Sequence, residues 1–252
     1  MWLYPRIAAH RGGGKLAPEN TLAALRCGLA HGYHAVEIDA MLSGDGVPVL
    51  MHDPVLGRTV AGRGPVAALS AAQLGALDAG SWFGPAFAGE PVPTLEQAIL
   101  FCRESGIWMN IEIKPSPGAD AATGRAVAEL VHALFAKELE QGAHAALPLL
   151  SSFSAEALAA AGDAAPGLAR ALLVTSVPAD WLARLRMLGA SALHVDHARL
   201  TERRAQAVKE HGFGLFCYTV NSVKRARELL AWGVDAFCTD RIDLVPADVD
   251  KL

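Results

Sequence analysis

Acidic side chains recur at strand-like spacing in the first half of the chain. Glu37 and Asp39 lie two residues apart in an apolar segment, and Glu112 and Lys114 repeat that spacing in another. Residues i and i+2 of a strand project to the same face, so the members of each pair point the same way. Carboxylates that converge repel one another unless a cation neutralises them, and an all-oxygen site favours Mg²⁺ or Ca²⁺. Glu37, Asp39 and Glu112 are therefore predicted to bind one divalent cation.

Two of the 9 histidines follow apolar, strand-like segments and stand next to a charged residue. His10 precedes Arg11, and His52 precedes Asp53. Histidine titrates near neutral pH, so one ring can act as a base while the other acts as an acid. His10 and His52 are predicted to transfer protons, with the acid and the base left open. The other histidines are interpreted as structural.

The charged residues also allow a purely structural interpretation. Charged side chains are almost never fully buried unless they form ion pairs or bind a metal. Arg11 and Lys114 could pair with the three carboxylates in an ion network at the strand ends. This alternative needs no cation, and it competes with the metal site until the positions of the side chains are known.

Short apolar runs alternate with longer helical patterns along nearly the whole chain, which is typical of βαβ units and a parallel sheet. The pattern predicts strands over residues 7–9, 35–39, 108–113, 147–151, 171–174, 192–195, 214–218 and 236–238. It predicts helices over residues 21–32, 94–105, 123–140, 179–188, 201–211 and 222–232. Such an α/β chain of 252 residues is predicted to form a (β/α)8 TIM barrel.

One segment interrupts this alternation. Residues 47–52 are predicted to form an extension or a hairpin partner of the second strand, and residues 53–92 are rich in Gly, Ala and Pro. A long insertion in a barrel is usually functional, and barrel active sites lie at the carboxyl ends of the strands. We therefore expect residues 1–252 to form a single TIM-barrel domain in which the insertion 53–92 caps the C-terminal face.

Composition narrows the classes of partner. The formal net charge is -4, and the chain has no run of Lys and Arg, which argues against nucleic acid as the substrate. No apolar stretch approaches the roughly 20 residues of a membrane helix. The 4 cysteines form no CxxC pair and are interpreted as small buried hydrophobes in a reducing compartment. We expect a cytoplasmic protein with no membrane span.

The ordered motifs resemble those of the glycerophosphodiester phosphodiesterase family. The matching segments are His-Arg-Gly at 10–12, Pro-Glu-Asn-Thr at 18–21, Glu-Ile-Asp at 37–39, His-Asp at 52–53 and Glu-Ile-Lys-Pro at 112–115. Later segments at 151–153, 219–221 and 239–240 are also similar to family positions. The resemblance spans nearly the whole chain, and the set of early motifs is specific.

The resemblance implies metal-dependent hydrolysis of small-molecule glycerophosphodiesters to glycerol 3-phosphate and an alcohol. It implies His10 and His52 as acid and base, and a cation held by three carboxylates. It also implies two phosphate contacts, Arg11 and Lys114. Phe153 and Tyr218 are candidates for lining the substrate pocket, with core packing an equal alternative. The three carboxylates in this assignment are Glu37, Asp39 and Glu112.

Two other functions remain open from the sequence. A phospholipase-type phosphodiesterase acting on lysophospholipids or phosphoinositides would use the same barrel chemistry. A non-catalytic glycerophosphodiester-binding protein would keep the pocket, although none of the expected histidines and carboxylates is missing. The preferred head group, the choice between Mg²⁺ and Ca²⁺, and the attacking nucleophile (water or a glycerol hydroxyl) stay undetermined, as does a possible homo-oligomer.

Overall fold

The computed structural model describes residues 2–252, which alternate between strands and helices. The strands are β1 (Ile7–His10), β2 (Ala35–Leu42), β3 (Pro48–Leu50), β4 (Trp108–Ile113), β5 (Leu149–Ser152), β6 (Arg170–Val174), β7 (Ala192–Asp196), β8 (Gly214–Tyr218) and β9 (Ala236–Thr239). The helices are α1 (Leu22–Ala30), α2 (Ala71–Gly75), α3 (Leu95–Glu104), α4 (Asp120–Leu134), α5 (Ala136–Glu140), α6 (Ala155–Ala164), α7 (Trp181–Leu188), α8 (Glu202–Glu210) and α9 (Val223–Ala231).

The strands close into a barrel. Their order is β1-β9-β8-β7-β6-β5-β4-β2, and β1 also pairs with β2, so that the ring has no free edge. All of these pairings are parallel, whereas β3 pairs with β2 as an antiparallel hairpin partner. The predicted (β/α)8 TIM barrel is confirmed, and the predicted hairpin after the second strand is present.

The helices show where sequence patterns failed. The predicted helix over 123–140 is two helices, because the chain leaves helical geometry at Phe135 between α4 and α5. Helix α6 was not predicted, since its sequence AEALAAAGDA is so rich in alanine that no apolar stripe stands out. Ser154 caps α6 by accepting a hydrogen bond from the backbone N–H of Ala157.

The interior of the barrel is closed at the amino ends of the strands by aromatic rings and small side chains. Trp108 and Phe216 occupy a ring of mostly alanine residues, and Trp2 and Tyr4 pack against them. Tyr4 stacks on Trp108 with their ring centroids 4.7 Å apart. Side chains point alternately inward and outward along a strand. The inward-facing positions beyond this apolar layer, toward the carboxyl ends of the strands, can therefore be polar. The polar residues that line the cavity there include His10, Glu37, Asn110 and His194.

Residues 53–92 carry two 3₁₀ helices, Val66–Ala68 and Pro85–Phe87, together with α2. They share a small apolar core with the β2–β3 hairpin, in which Met41 of β2 and Leu74 of α2 are both buried. The segment returns to the barrel at Thr94, which caps α3 through a capping box. The insertion therefore packs its own apolar residues against the hairpin.

Two further expectations can be compared with the structure. No helix in residues 2–252 combines the length and the apolar character needed to span a membrane. The four cysteines are free thiols in this part of the chain; Cys102, Cys217 and Cys238 are buried, and Cys27 is partly exposed. The interpretation of the cysteines as small hydrophobes is confirmed for the buried three.

Candidate active site

Three carboxylates meet at the carboxyl ends of β2 and β4. Glu37, Asp39 and Glu112 each offer an oxygen atom that lies within 4.8 Å of the others. The two strands are neighbours, and Asp39 is directly opposite Glu112 in their register. Glu37 is 5% exposed and Asp39 is 1% exposed, so solvent does little to screen the repulsion. The sequence prediction that these three side chains converge therefore holds.

The electrostatics of this cluster favour a bound cation. Burial raises the pKa of Glu37 and of Glu112, and the negative charge of Asp39 raises both further. Lys114 Nζ lies 3.2 Å from Glu112 and 3.8 Å from Asp39. The ion network considered from sequence thus exists, but it does not neutralise all of the negative charge of the three carboxylates. An all-oxygen, incompletely neutralised cluster of this kind suits a hard divalent ion.

His10 lies at the end of β1, beside the carboxylate cluster. Its Nδ1 donates a hydrogen bond of 2.6 Å to Oδ1 of Asp240, because a carboxylate can only accept. Its Nε2 is 3.7 Å from Glu37. Burial lowers the pKa of His10, but the hydrogen bond to Asp240 and the charge of Glu37 outweigh this and raise it overall. Nε2 is the ring nitrogen left to face the cavity.

Asp240 is itself held in one orientation by Asn221. The side-chain amide of Asn221 donates to Asp240 Oδ2 at 2.9 Å, and its oxygen accepts from the backbone N–H of Asp240 at 2.8 Å. Thr239 Oγ1 also donates to that oxygen. The cap of α9 is Ser222, so Asn221 is free for this positioning role. Together these bonds fix which ring nitrogen of His10 carries the proton.

His52 is bonded to a carboxylate through Nδ1, as His10 is. Its Nδ1 donates to Oδ1 of Asp53 at 2.6 Å, and Arg58 donates to the other oxygen of that carboxylate. Burial lowers the pKa of His52, and the neighbouring carboxylates only partly oppose that shift. Each candidate histidine therefore has a carboxylate on Nδ1, which leaves Nε2 as the other ring nitrogen available for exchange of a proton.

A cavity of about 240 Å³ contains the imidazoles and two of the carboxylates. Phe153 and Tyr218 form one of its walls, with their rings edge to face and 6.0 Å apart. The Tyr218 hydroxyl donates to the carbonyl of Val174, and Phe153 is 49% exposed. Both aromatic candidates therefore border the cavity, although the exposure of Phe153 does not fit core packing. Arg11 and Lys114 line the same cavity.

Residues 10–244 match the model of the glycerophosphoryl diester phosphodiesterase family. The chain belongs to this family. The glycerophosphodiester phosphodiesterase of Caldanaerobacter subterraneus subsp. tengcongensis is 31% identical over 239 residues, covering 93% of both chains. The predicted family and enzyme class, a phosphoric diester hydrolase, are confirmed.

Solved structures of phosphodiesterases share the fold over almost the entire chain. A phosphodiesterase from Oleispira antarctica, in complex with the product sn-glycerol-3-phosphate, has a TM-score of 0.86 and 35% identity. The match covers 98% of this chain and 96% of that one. The glycerophosphodiester phosphodiesterase of Agrobacterium tumefaciens has a TM-score of 0.76 and 28% identity over 97% of this chain and all of its own.

Asn20 holds Asp39 of the carboxylate cluster and was not singled out as a site residue from the sequence. Its amide donates to Asp39 Oδ2 at 2.7 Å and accepts from the Asp39 backbone N–H at 3.0 Å. This geometry requires a left-handed backbone, with φ of 57°. Asparagine tolerates that conformation better than most residues. The Pro-Glu-Asn-Thr motif was the signal that could have identified it.

Glu19 is a second residue whose role the sequence did not reveal. Its carboxylate accepts from Arg11 Nη1 at 2.6 Å and from two nitrogens of Arg58, at 2.7 and 2.8 Å. Arg58 also holds Asp53, so one arginine of the insertion connects both histidine sides of the site. Glu19 thereby fixes Arg11 at the edge of the cavity.

A second, more open groove lies outside the cavity of this phosphodiesterase and shares His10 and Arg11 with it. Lys15, Trp82 and Phe83 also line this groove. Trp82 is 44% exposed and packs edge to face on Phe83. The insertion therefore reaches the side of the barrel where the candidate residues lie.

Proposed function

We propose that this chain hydrolyses glycerophosphodiesters to glycerol 3-phosphate and an alcohol in a reaction that depends on one divalent cation. The observation that carries the proposal is the meeting of three carboxylates, two of them buried, with two carboxylate-bound imidazoles beside one cavity. The chain belongs to a phosphodiesterase family, and the Oleispira antarctica structure contains glycerol 3-phosphate as a product. This combination favours hydrolysis over binding without turnover, because both proton-transfer residues are present.

Glu37, Asp39 and Glu112 would hold the cation, which is Mg²⁺ or Ca²⁺ in view of the oxygen donors. When bound, such an ion stabilises the negative charge that develops on the phosphate oxygens during displacement. The pKa of Glu37 and of Glu112 is raised by burial and by the negative charge of Asp39. A bound cation would neutralise that charge, and the raised pKa of both groups therefore supports the assignment. The choice between the two ions rests with experiment.

His10 and His52 carry the proton transfers in this proposal. One Nε2 accepts the proton of the attacking oxygen, and the other donates a proton to the departing alcohol oxygen. Asp240 and Asp53 keep each Nδ1 protonated, so Nε2 is the atom that exchanges the proton. The structure is symmetrical in this respect, and kinetics must assign the acid and the base.

Arg11 and Lys114 would contact the phosphate. The Arg11 guanidinium can offer two N–H groups to two phosphate oxygens, whereas the Lys114 ammonium acts as a compact charge. Both side chains are only partly exposed, at 18% and 22%. A partly desolvated cation stabilises developing charge more strongly than one in free solution. Phe153 and Tyr218 would enclose the organic part of the substrate from the open side.

We further propose that residues 53–92 are a cap within a single domain, 1–252, rather than an independent unit. Their small core is completed by the β2–β3 hairpin, and Arg58 ties them to Glu19 outside the segment. The exposed ring of Trp82 borders the outer groove. This position suits contact with the alcohol part of the substrate.

The decisive test is a matrix of metals against substrates on purified protein. Glycerophosphocholine and a lysophospholipid are compared after removal of metal with a chelator and after restoring Mg²⁺ or Ca²⁺ separately. We expect glycerol 3-phosphate release from glycerophosphocholine only with a divalent ion. Exclusive turnover of the lysophospholipid would reject the proposed substrate class, and full activity in chelator would reject the metal.

The histidine roles are tested with single substitutions. His10→Ala and His52→Ala are expected to lower kcat by about 10²-fold or more, since general acid–base catalysis contributes about that much per group. His132→Ala, on the exposed side of α4, is the matched control and should leave kcat unchanged. Wild-type turnover in either His10→Ala or His52→Ala would contradict the acid–base assignment.

A further inference from the structure

His194 is a buried polar residue for which neither the fold nor the proton-transfer chemistry accounts. It lies in the middle of β7, where it is 0% exposed. Among residues 2–252, neither Nδ1 nor Nε2 of its ring has a hydrogen-bond partner. Burying such a group without a partner destabilises a fold, so nearly all buried polar groups are paired. We therefore expect a bound molecule to supply the hydrogen bonds that the His194 imidazole lacks.

A packing role does not explain the choice of histidine. The ring stacks on Phe216 with centroids 4.6 Å apart and an interplanar angle of 26°. Phenylalanine or leucine would fill that space without the cost of burying two ring nitrogens. Burial lowers the pKa of His194 to about 3, so the ring is neutral at physiological pH. A neutral imidazole offers one N–H donor and one nitrogen acceptor, which match a hydroxyl group.

Asn110 presents a second unsatisfied atom to the same cavity. It is 2% exposed, and its Oδ1 has no hydrogen-bond partner within the described residues. It stands two residues before Glu112 on β4, hence on the same face of the strand and one step deeper in the barrel. Both Asn110 and His194 line the cavity that contains the candidate active site.

The rest of that inner surface is mostly apolar, and Glu37, which lies opposite Asn110 in the register of β2 and β4, is its charged member. Leu173, Phe216 and Cys238 border the cavity together with His194 and Asn110. Neutral hydrogen-bonding groups set among apolar walls suit a small polyol, whose hydroxyls need partners and whose carbon atoms need van der Waals contact. They do not suit a phosphate group, which is matched by the cationic Arg11 and Lys114 that line the same cavity.

We infer that His194 and Asn110 bind the hydroxyl groups of the glycerol moiety, so that the glycerol end of the diester lies inside the barrel. The inference rests on the proposed hydrolysis of glycerophosphodiesters and assigns the direction in which the substrate enters. The alcohol that departs then occupies the outer groove beside Lys15 and Trp82, on the other side of His10. His194 and Asn110 are thus specificity-determining residues for the part of the substrate common to all glycerophosphodiesters.

The experiment compares His194→Phe, which keeps a stacking ring and removes both nitrogens, with His194→Gln, which keeps a donor and an acceptor. Binding of glycerol 3-phosphate and of inorganic phosphate is measured by calorimetry with Mg²⁺ present. His194→Phe should weaken glycerol 3-phosphate binding by about 10- to 100-fold, the loss expected for buried hydrogen-bonding groups left unpaired. Phosphate binding should change less than about twofold, and His194→Gln should retain most of the preference for glycerol 3-phosphate.

Asn110→Leu provides an independent variant if His194→Phe fails to fold, and His132→Phe on α4 is the control for an unrelated histidine. An unchanged ratio of the two affinities in every folded variant at 194 and 110 overturns the inference. Equal losses for both ligands overturn it as well, because they indicate general damage. Absence of hydrolysis by the wild type would instead reject the proposed function, since the binding ratio is measured without turnover.

Discussion

The hydrogen-bonded chain from Asn221 through Asp240 to His10 yields a specific prediction for Asp240→Asn. Asn221 cannot rotate, because its oxygen already accepts from the backbone N–H of Asp240 and from Thr239. Its NH₂ group must therefore face position 240. The new amide side chain either points its own NH₂ at that group, leaving two opposed donors, or turns it toward His10 and forces the proton onto Nε2.

The size of the effect follows from the bond that is lost. A hydrogen bond to a charged group contributes about 1.5–3 kcal/mol, and the two side chains are only 18% and 23% exposed, so solvent screening is small. At 1.36 kcal/mol per factor of ten, kcat should fall by about 10- to 150-fold. Steady-state hydrolysis of glycerophosphocholine measures this. The control is Asp243→Asn, which removes an acidic group that pairs with Arg241 at the surface. This variant should have the kcat of the wild type.

A reversed pair separates hydrogen-bond direction from charge. In the double variant Asp240→Asn/Asn221→Asp, the carboxylate introduced at position 221 accepts from the amide introduced at position 240. The oxygen of that amide is then free to accept from His10 Nδ1, and we expect this variant to recover about tenfold of the activity lost in Asp240→Asn. Asn221→Asp alone should be harmful, because two carboxylates then face each other. A double variant no more active than Asp240→Asn would refute the positioning argument.

Three further predictions concern other parts of the structure. Gly14→Ala should lower the free energy of unfolding by more than about 2 kcal/mol in urea titrations, because φ is +55° and a Cβ would lie 2.2 Å from a backbone oxygen. Gly46→Ala, at φ +79° with open space around it, should cost only about 1 kcal/mol, and equal losses would contradict the steric explanation. The pKa of Asp78 is lowered by hydrogen bonds from the Ser81 hydroxyl and from backbone N–H groups. The ionised Asp78 carboxylate therefore stabilises the fold above about pH 4, and this stabilisation is lost as pH falls through the pKa of Asp78 in the folded protein. The melting-temperature gap between the wild type and Asp78→Asn should therefore be constant from about pH 7 to 5 and narrow in acid; a gap that widens in acid would disprove this. Trp82→Ala should raise the KM for glycerophosphocholine about fivefold, the order of one cation–π contact, and should leave the inhibition constant of glycerol 3-phosphate unchanged. An altered inhibition constant would indicate that Trp82 contacts the glycerol 3-phosphate part of the substrate and would contradict its proposed contact with the alcohol.

The carboxylate cluster was predictable because the sheet is parallel. Charged residues that end separate strands meet at one side of a closed barrel, whatever their separation in sequence. Asp39 and Glu112 are 73 positions apart, yet the register of β2 and β4 makes them neighbours. The i, i+2 spacing also predicted correctly that Glu37 and Asp39 share a face. Strand periodicity and strand order were sufficient for this part of the site.

The residues that orient the site were harder to predict. Asn20 depends on a left-handed backbone, and nothing in the local sequence requires one there. Asp240 follows the last strand, and it adjoins His10 only because β9 pairs with β1. Glu19 could be placed near the start of α1 from its sequence, but its two arginine partners come from different segments. Such contacts depend on side-chain geometry after closure, which periodicity does not describe. His194 was interpreted as structural for the same reason.

The pairing of His10 with Asp240 has a consequence for how the protein becomes active during its synthesis. The two residues are 230 positions apart, so His10 leaves the ribosome long before Asp240 does. A chain that has not yet reached Asp240 can already contain Arg11 and Lys114, the proposed phosphate contacts, but it cannot fix the proton on the His10 imidazole. Turnover should therefore begin only when the final strand joins the ring, and nascent or prematurely terminated products should be poor catalysts even where they retain ligand affinity.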